Sequence, residues 1–161
     1  MKDCATMTIR IAESADEVEQ ARELFRQYGA SLSFRLCFQN FDQELAGLPG
    51  KYACPKGRLL IAFADGAAAG CGALRPLDDG ICEMKRLYVR PECKGRGMGR
   101  QLAERLIAEA KLIGYRRMRL DTIPAEMMAA KTLYVSLGFQ EIAPYYNSPQ
   151  PGTSFMELTL A

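Results

Sequence analysis

The sequence has no histidine and no tryptophan, and its six cysteines (Cys4, Cys37, Cys54, Cys71, Cys82 and Cys93) are scattered, with no C-x-x-C pair. Without histidine or paired cysteines the usual zinc-ligand spacings cannot be assembled, so no metal is expected. The lack of histidine also removes the commonest general base near neutral pH. That role falls to a carboxylate, a tyrosine, a perturbed lysine or cysteine, or a chain of waters. Neither Cys82 nor Cys93 has a histidine to activate it, which argues against nucleophilic cysteine catalysis. No apolar run approaches the roughly 20 residues of a membrane span, and MKDCATMTIRIAES at the N-terminus has no apolar signal-peptide core. The expectation is a cytoplasmic chain with free thiols and no membrane contact. A net charge of +2 is too small to imply nucleic acid, so any basic function must be local.

What is present fits one domain over residues 1–161, with 48% hydrophobic and 25% charged residues and no low-complexity tract, long linker or repeat. MTIRIA (7–12) alternates like a strand. Ser14 and Glu17 then form a capping-box pattern, and Val18, Ala21, Leu24, Phe25 and Tyr28 mark one helical face. FQNFDQELAGLPG (38–50) predicts a shorter helix ending at Gly47 or Pro49, before a Pro- and Gly-bearing loop. Strand-like runs at 59–64, 67–76 and 81–90 are separated by Asp65-Gly66 and Asp79-Gly80, strong hairpin signals. A helix follows over 98–113, with Met98, Leu102, Leu106, Ile107, Ala110 and Ile113 inward and Gly114 closing it. RRMRLDT (116–122) reads as a strand, and PAEMMAAKTLYVSLG (124–138) as a helix with Pro near its start and Gly138 past its end. FQEIAPYY and TSFMELTL are two more strand-like runs, joined by NSPQPG. The order predicts a mixed α/β sheet covered by helices.

The stretch LYVRPECKGRGMGRQLAERL (87–106) carries the chemistry. Gly95, Gly97 and Gly99 stand where a strand gives way to a helix. Such a loop offers outward backbone N–H groups, and the helix start adds its own unsatisfied amides and positive dipole end. Together these make a cradle for phosphate. Residues 85–105 hold Lys85, Arg86, Arg90, Lys94, Arg96, Arg100 and Arg105 against only Glu92 and Glu104, which favours a polyanionic ligand. The dinucleotide fingerprint G-x-G-x-x-G fails, because Arg100 and Leu102 stand where its third glycine would be, and no G-K-[ST] follows for a P-loop. On spacing alone, the same glycines would also serve as a sharp strand-to-helix turn.

VRPECKGRGMG resembles the signature of the GNAT superfamily of N-acetyltransferases, Arg/Gln-x-x-Gly-x-Gly/Ala after the fourth strand. Lys94, Gly97 and Gly99 occupy its defining positions, with Lys94 in place of the usual Arg or Gln. EMKRLYV before it, and GYRRMRLDT and AAKTLYVSLGF (129–139) after it, follow the family's order, so the resemblance covers residues 7–160. It implies an α/β (α+β) fold: a mixed, mostly antiparallel sheet of about seven strands with about four helices, splayed between the fourth and fifth strands. It also implies acetyl-CoA in that splay. The backbone from Lys94 through Gly95, Arg96, Gly97, Met98 and Gly99 would hold the pyrophosphate, with Arg100 beside it, and Leu87, Tyr88 and Val89 would line the pantetheine arm. Lys131 falls where the family places a residue near that arm, although a solvated helix position is its default. Tyr134 corresponds to a tyrosine that protonates the departing sulfur, and need not share the buried face of Leu133 and Leu137. Glu83 corresponds to a catalytic base in some members. Strand alternation predicts Glu83, Lys85, Leu87 and Val89 on one face, opposite Met84, Arg86 and Tyr88. Asp121 and Thr122 end the fifth strand near the cleft, where Thr122 is read mainly as a helix start.

The acceptor pocket is expected from the variable parts, with Phe34, Arg35, Phe38, Tyr145 and Tyr146 as its residues. Arg35 suits a substrate carboxylate, while the aromatics are equally suited to a homodimer contact. The resemblance thus implies direct acetyl transfer from acetyl-CoA to a primary amine, with a small-molecule acceptor because no second domain is seen to recruit a macromolecule. Protein N-terminal or lysine acetylation, a non-catalytic acyl-CoA sensor on the same fold, and a nucleotide-binding protein of another fold are the competing readings.

Overall fold

The computed structural model describes residues 6–32 and 40–160. Met7–Ile11 forms β1, its side chains alternating between half-buried and exposed. Helix α1 (Ala15–Ala30) begins on a reciprocal capping box: Glu17 N donates to Ser14 Oγ and Ser14 N to Glu17 Oε1, both at 3.1 Å. Its Ala21, Leu24 and Phe25 are buried at helical spacing. Helix α2 (Phe41–Ala46) is shorter than the 38–50 pattern predicts, closes at Gly47, and leads to a 3₁₀ turn at Gly50–Tyr52.

β2 (Arg58–Ala64), β3 (Ala67–Asp78) and β4 (Ile81–Val89) form the predicted antiparallel meander. Asp65 and Gly66 both take positive φ, 51° and 84°, as the tight hairpin turn requires. Helix α3 (Met98–Ile113) ends at Gly114 and precedes β5 (Arg117–Thr122), α4 (Pro124–Ser136), β6 (Gln140–Ile142) and β7 (Ser154–Thr159). The run FQEIAPYY is a strand only as far as Ile142. Pro144 has no N–H for the ladder, so Tyr145 and Tyr146 leave the sheet.

The sheet order is β1-β2-β3-β4-β5-β7-β6, antiparallel except for β4 with β5. One core lies under α3 and α4, around Leu60, Leu102, Leu106, Met118 and Met156. The other lies under α1 and α2, around Leu24, Phe25, Phe41, Leu59 and Ile61. Each such buried side chain contributes roughly 2 kcal/mol of transfer free energy, so both faces of the sheet are held. Among the described residues no helix is long and apolar enough to cross a membrane. Glu109 of α3 is buried against expectation, and is answered by Arg58 at 3.5 Å and Arg105 at 3.3 Å.

Two irregularities of the sheet shape its open edge. β4 and β5 pair only from Ile81↔Arg117 to Glu83↔Arg119; beyond that the strands part, which is the splay the sequence implied. β4 also bulges: Tyr88 opposes Cys71 and Lys85 opposes Ala73, so Arg86 and Leu87 together face one residue of β3. Arg86 takes φ 60°. The bulge reverses the alternation, and the expected single face of Glu83, Lys85, Leu87 and Val89 does not exist. Leu87 and Val89 pack on the α3 side with Met84, while Glu83, Lys85 and Arg86 lie on the α2 side.

Candidate active site

The parting of β4 and β5 opens a cleft of about 440 Å³. Leu87, Tyr88 and Val89 form one wall, Lys94, Gly95, Gly97, Met98 and Gly99 one end, and Asp121, Thr122, Leu133 and Tyr134 the other side. Gly95 and Gly97 have φ 82° and 78°, and a Cβ on either would meet no atom within 4 Å. The backbone turn, not crowding from the protein, therefore requires glycine there, and the space beside it is open. Gly97 caps α3 without any side-chain hydrogen bond, so the first-turn amides remain available to an anion.

Three residues expected at the cofactor do not line this cleft. Arg96 is exposed. Arg100 reaches back to Ser136 Oγ at 2.5 Å and Glu104 at 3.5 Å. Lys131 pairs with Glu141 instead, because the turn of α4 that presents Ala130, Leu133 and Tyr134 to the cleft directs position 131 outward. Tyr134 is more deeply buried than Leu133 or Leu137, the reverse of a buried leucine pair with the tyrosine beside it. Its ring packs against Phe139 at 5.7 Å between centroids. Burial pushes the phenol well above its ordinary value, so it stays a proton donor. Thr122 does not cap α4; Ile123 holds that position, and Thr122 Oγ1 meets Met127 Sδ at 3.6 Å.

A second cavity, about 560 Å³, lies on the other side of β4 beneath α2. Glu44, Arg75, Glu83, Tyr145 and Tyr146 line it, and Lys85 and Arg86 line both cavities. Glu83 is 1% exposed. Arg75 Nη2 lies 2.8 Å and Lys85 Nζ 3.8 Å from its Oε1, and Tyr145 donates to its Oε2 at 2.6 Å. Tyr146 donates to Asp121 at the cleft edge. The two tyrosine rings pack edge-on to Phe155, each at 5.1 Å, and Arg119 stacks over Tyr145 at 5.5 Å while pairing with Glu157. Burial draws the Lys85 ammonium below the ordinary lysine value, with Glu83 opposing. Burial and the Glu83 charge raise the Tyr145 phenol. Tyr145 and Tyr146, expected at the acceptor, line the same cavity as Glu83, expected as a base, whereas Phe34, Arg35 and Phe38 lie outside the described residues. Arg75 was missed: only its register opposite Glu83 reveals it.

Residues 15–139 match the acetyltransferase (GNAT) family. The chain belongs to the GNAT family. It is 36% identical over 159 residues to an uncharacterized N-acetyltransferase of Schizosaccharomyces pombe, covering 98% of this chain and 97% of that one. A GNAT-family acetyltransferase from Staphylococcus aureus superposes with a TM-score of 0.80 at 18% identity, over 97% of this chain and 100% of that one. The Salmonella typhimurium protein yncA, solved with its cofactor acetyl-CoA, superposes with a TM-score of 0.72 at 25% identity, over 96% of this chain and 94% of its own. The GNAT fold accounts for the seven-stranded sheet with its one parallel pair and open β4–β5 edge.

Proposed function

We propose that this GNAT enzyme transfers the acetyl group of acetyl-CoA to the primary amine of a small molecule. In this reading the cofactor lies between β4 and β5, and the acceptor enters from the cavity under α2. The observation that carries the reading is that two cavities on opposite sides of β4 meet at Lys85 and Arg86. A donor and an acceptor can thus approach one point from two directions, which supplies proximity without a shared doorway.

The cleft fits the cofactor's chemistry. Left-handed Gly95 and Gly97 at an uncapped helix start suit a pyrophosphate, and the apolar wall of Leu87 and Val89 suits a pantetheine arm. Acetyl-CoA supplies the acetyl group already activated as a thioester. The chain supplies orientation and proton handling. Tyr134, buried and kept as the phenol, donates the proton to the leaving sulfur. Glu83 is the cavity carboxylate with one oxygen engaged only by a tyrosine hydroxyl, and it accepts the proton from the attacking amine. Glu44, the other carboxylate there, has both oxygens held by Arg86. The cytoplasm suits a chain whose described cysteines, Cys54, Cys71, Cys82 and Cys93, are all free.

The test is transfer of labelled acetyl from acetyl-CoA to a panel of primary amines, with products read by mass spectrometry. Labelled amide in a small-molecule product supports the proposal. Labelling confined to protein N-termini or lysines would overturn the acceptor class, and cofactor binding with no acetylated amine would overturn the catalytic reading.

A further inference from the structure

We infer that Tyr145 is a catalytic residue of this site: its hydroxyl takes the proton from the attacking amine and passes its own to Glu83. The inference rests on the proposed function and deepens it, since it states how an acceptor in the cavity under α2 reaches the base.

Glu83 lines that cavity yet is only 1% exposed, so an acceptor there meets little of the carboxylate itself. Among the described residues, its Oε1 faces Arg75 Nε at 2.9 Å and Nη2 at 2.8 Å, with Lys85 Nζ at 3.8 Å. Its Oε2 is covered by the Tyr145 hydroxyl at 2.6 Å. Tyr145 is half-buried and lines the same cavity. What stands between the cavity and the free side of the base is therefore a phenol oxygen. Packing fixes it there. The Tyr145 ring meets Phe155 of β7 edge-on at 5.1 Å and Tyr146 at 5.6 Å. Arg119 of β5 covers it at 5.5 Å and is itself anchored by Glu157 at 2.8 Å. Tyr146, next in the chain, donates instead to Asp121, so the two neighbours serve different carboxylates.

A phenol hydroxyl donates once and can also accept. The Tyr145 donor is spent on Glu83, and its oxygen keeps a lone pair for an N–H in the cavity. As the amine nitrogen bonds to the thioester carbon, it becomes positively charged. Its N–H bond then breaks toward Tyr145 Oη while the Tyr145 O–H bond breaks toward Glu83 Oε2. The nitrogen loses its charge, Tyr145 ends as the neutral phenol it began as, and Glu83 ends as the carboxylic acid. Burial and the Glu83 charge hold the phenol well above its ordinary value, so Tyr145 is not a base by itself and acts only by handing a proton on. A donor and an acceptor already aligned at 2.6 Å need no reorganisation to do so.

The experiment measures kcat at saturating acetyl-CoA, with benzylamine, ethanolamine and putrescine as probe acceptors, for wild type, Tyr145→Phe, Glu83→Gln and the double variant. Tyr145→Phe keeps the ring against Phe155 and should lower kcat by about 10²-fold, with KM for the amine within about twofold of wild type. In the Glu83→Gln background the same change should cost less than about twofold, because residues that act as a unit are not additive. In wild-type protein, kcat in mixtures of light and heavy water should curve with the deuterium fraction, since both protons move in one step; that measurement needs no variant to fold. Near-wild-type turnover in Tyr145→Phe, its full loss repeated in the Glu83→Gln background, or a straight line in the water mixtures overturns the relay and leaves the proposed acetyl transfer standing. Wild-type turnover in Glu83→Gln removes Glu83 as the base and the relay with it. Acetyl-CoA binding with neither these probes nor any other amine acetylated removes the proposed function as well.

Discussion

Arg86 Nε donates to Glu44 Oε2 at 2.8 Å and Arg86 Nη2 to Glu44 Oε1 at 2.9 Å. This fork ties α2 to the bulge of β4, with the guanidinium 5.9 Å from the Tyr28 ring centre and 5.1 Å from that of Phe41. Arg86 is held at φ 60°, a conformation that costs an ordinary residue about 1 to 2 kcal/mol, so its partners must over-determine it. The bulge in turn sends Leu87 and Val89 to the β4–β5 cleft, keeps Glu83 in the cavity beneath α2 and leaves Lys85 lining both. Glu44→Ala should destabilise the protein by about 3 kcal/mol, the range for removing one partner of a buried ion pair, as measured by urea denaturation. Arg86→Lys should not preserve activity, because an ammonium cannot make the fork. Wild-type stability in Glu44→Ala would show that the pair does not hold the bulge.

Tyr134→Phe keeps the ring against Phe139 and removes only the hydroxyl. Turnover should fall by about 10²-fold, the lower range for losing a general acid, with acetyl-CoA affinity within about twofold of wild type by calorimetry. Unchanged kcat would remove Tyr134 from the proton path.

Burial raises the phenols of Tyr28, Tyr52, Tyr134 and Tyr145, that of Tyr28 to about 12. Unfolded tyrosines titrate near pH 10. Above roughly pH 10 the unfolded chain therefore binds fewer protons than the folded one, and stability falls as pH rises. The contribution is fully present below the unfolded value and is lost through the folded ones. Urea midpoints should decline from about pH 10 upward; a flat profile to about pH 12 would contradict these shifts.

Thiol labelling gives an independent map. Cys54 is exposed, and Cys93 lines the β4–β5 cleft. Burial raises Cys82 to about 12 and Cys71 further, so at pH 8 the Cys82 thiolate fraction is about 10⁻⁴. Among the four described cysteines, iodoacetamide with peptide mapping should modify Cys54 first, leave Cys71 and Cys82 intact in folded protein, and modify Cys93 more slowly once acetyl-CoA is added. A Cys93 rate indifferent to the cofactor would place it elsewhere.

Much of this molecule was legible in the sequence where chemistry is local. The Ser14–Glu17 box, the Asp65-Gly66 turn and the glycine loop at Gly95 and Gly97 each appear where the residue types require them. The irregular sheet was not legible. Counting back from the turn at Asp79 and Gly80 places Pro76 opposite Glu83, but a register shift between Pro76 and Asp78 puts Arg75 there instead. The bulge at Arg86 likewise reverses the face of everything after it. Both depend on the partner strand, and the bulge also on Glu44 from a distant helix, which no local pattern records. Lys131 keeps to its default as a helix-surface position: family position gave its turn of α4, and Glu141 of β6 pairs with it there.

The most direct measurement is calorimetry of acetyl-CoA binding, set against ATP and against CoA lacking its 3′-phosphate, with wild-type protein and Gly97→Val. Valine strains a left-handed backbone position, φ 78°, by about 1 to 2 kcal/mol and reaches into the open space beside the glycine loop. Acetyl-CoA should bind wild type well ahead of ATP, and Gly97→Val should lose that binding while its circular dichroism stays native. Equal binding of ATP, or undiminished acetyl-CoA binding by a folded Gly97→Val, would contradict the assignment of the β4–β5 cleft to the cofactor.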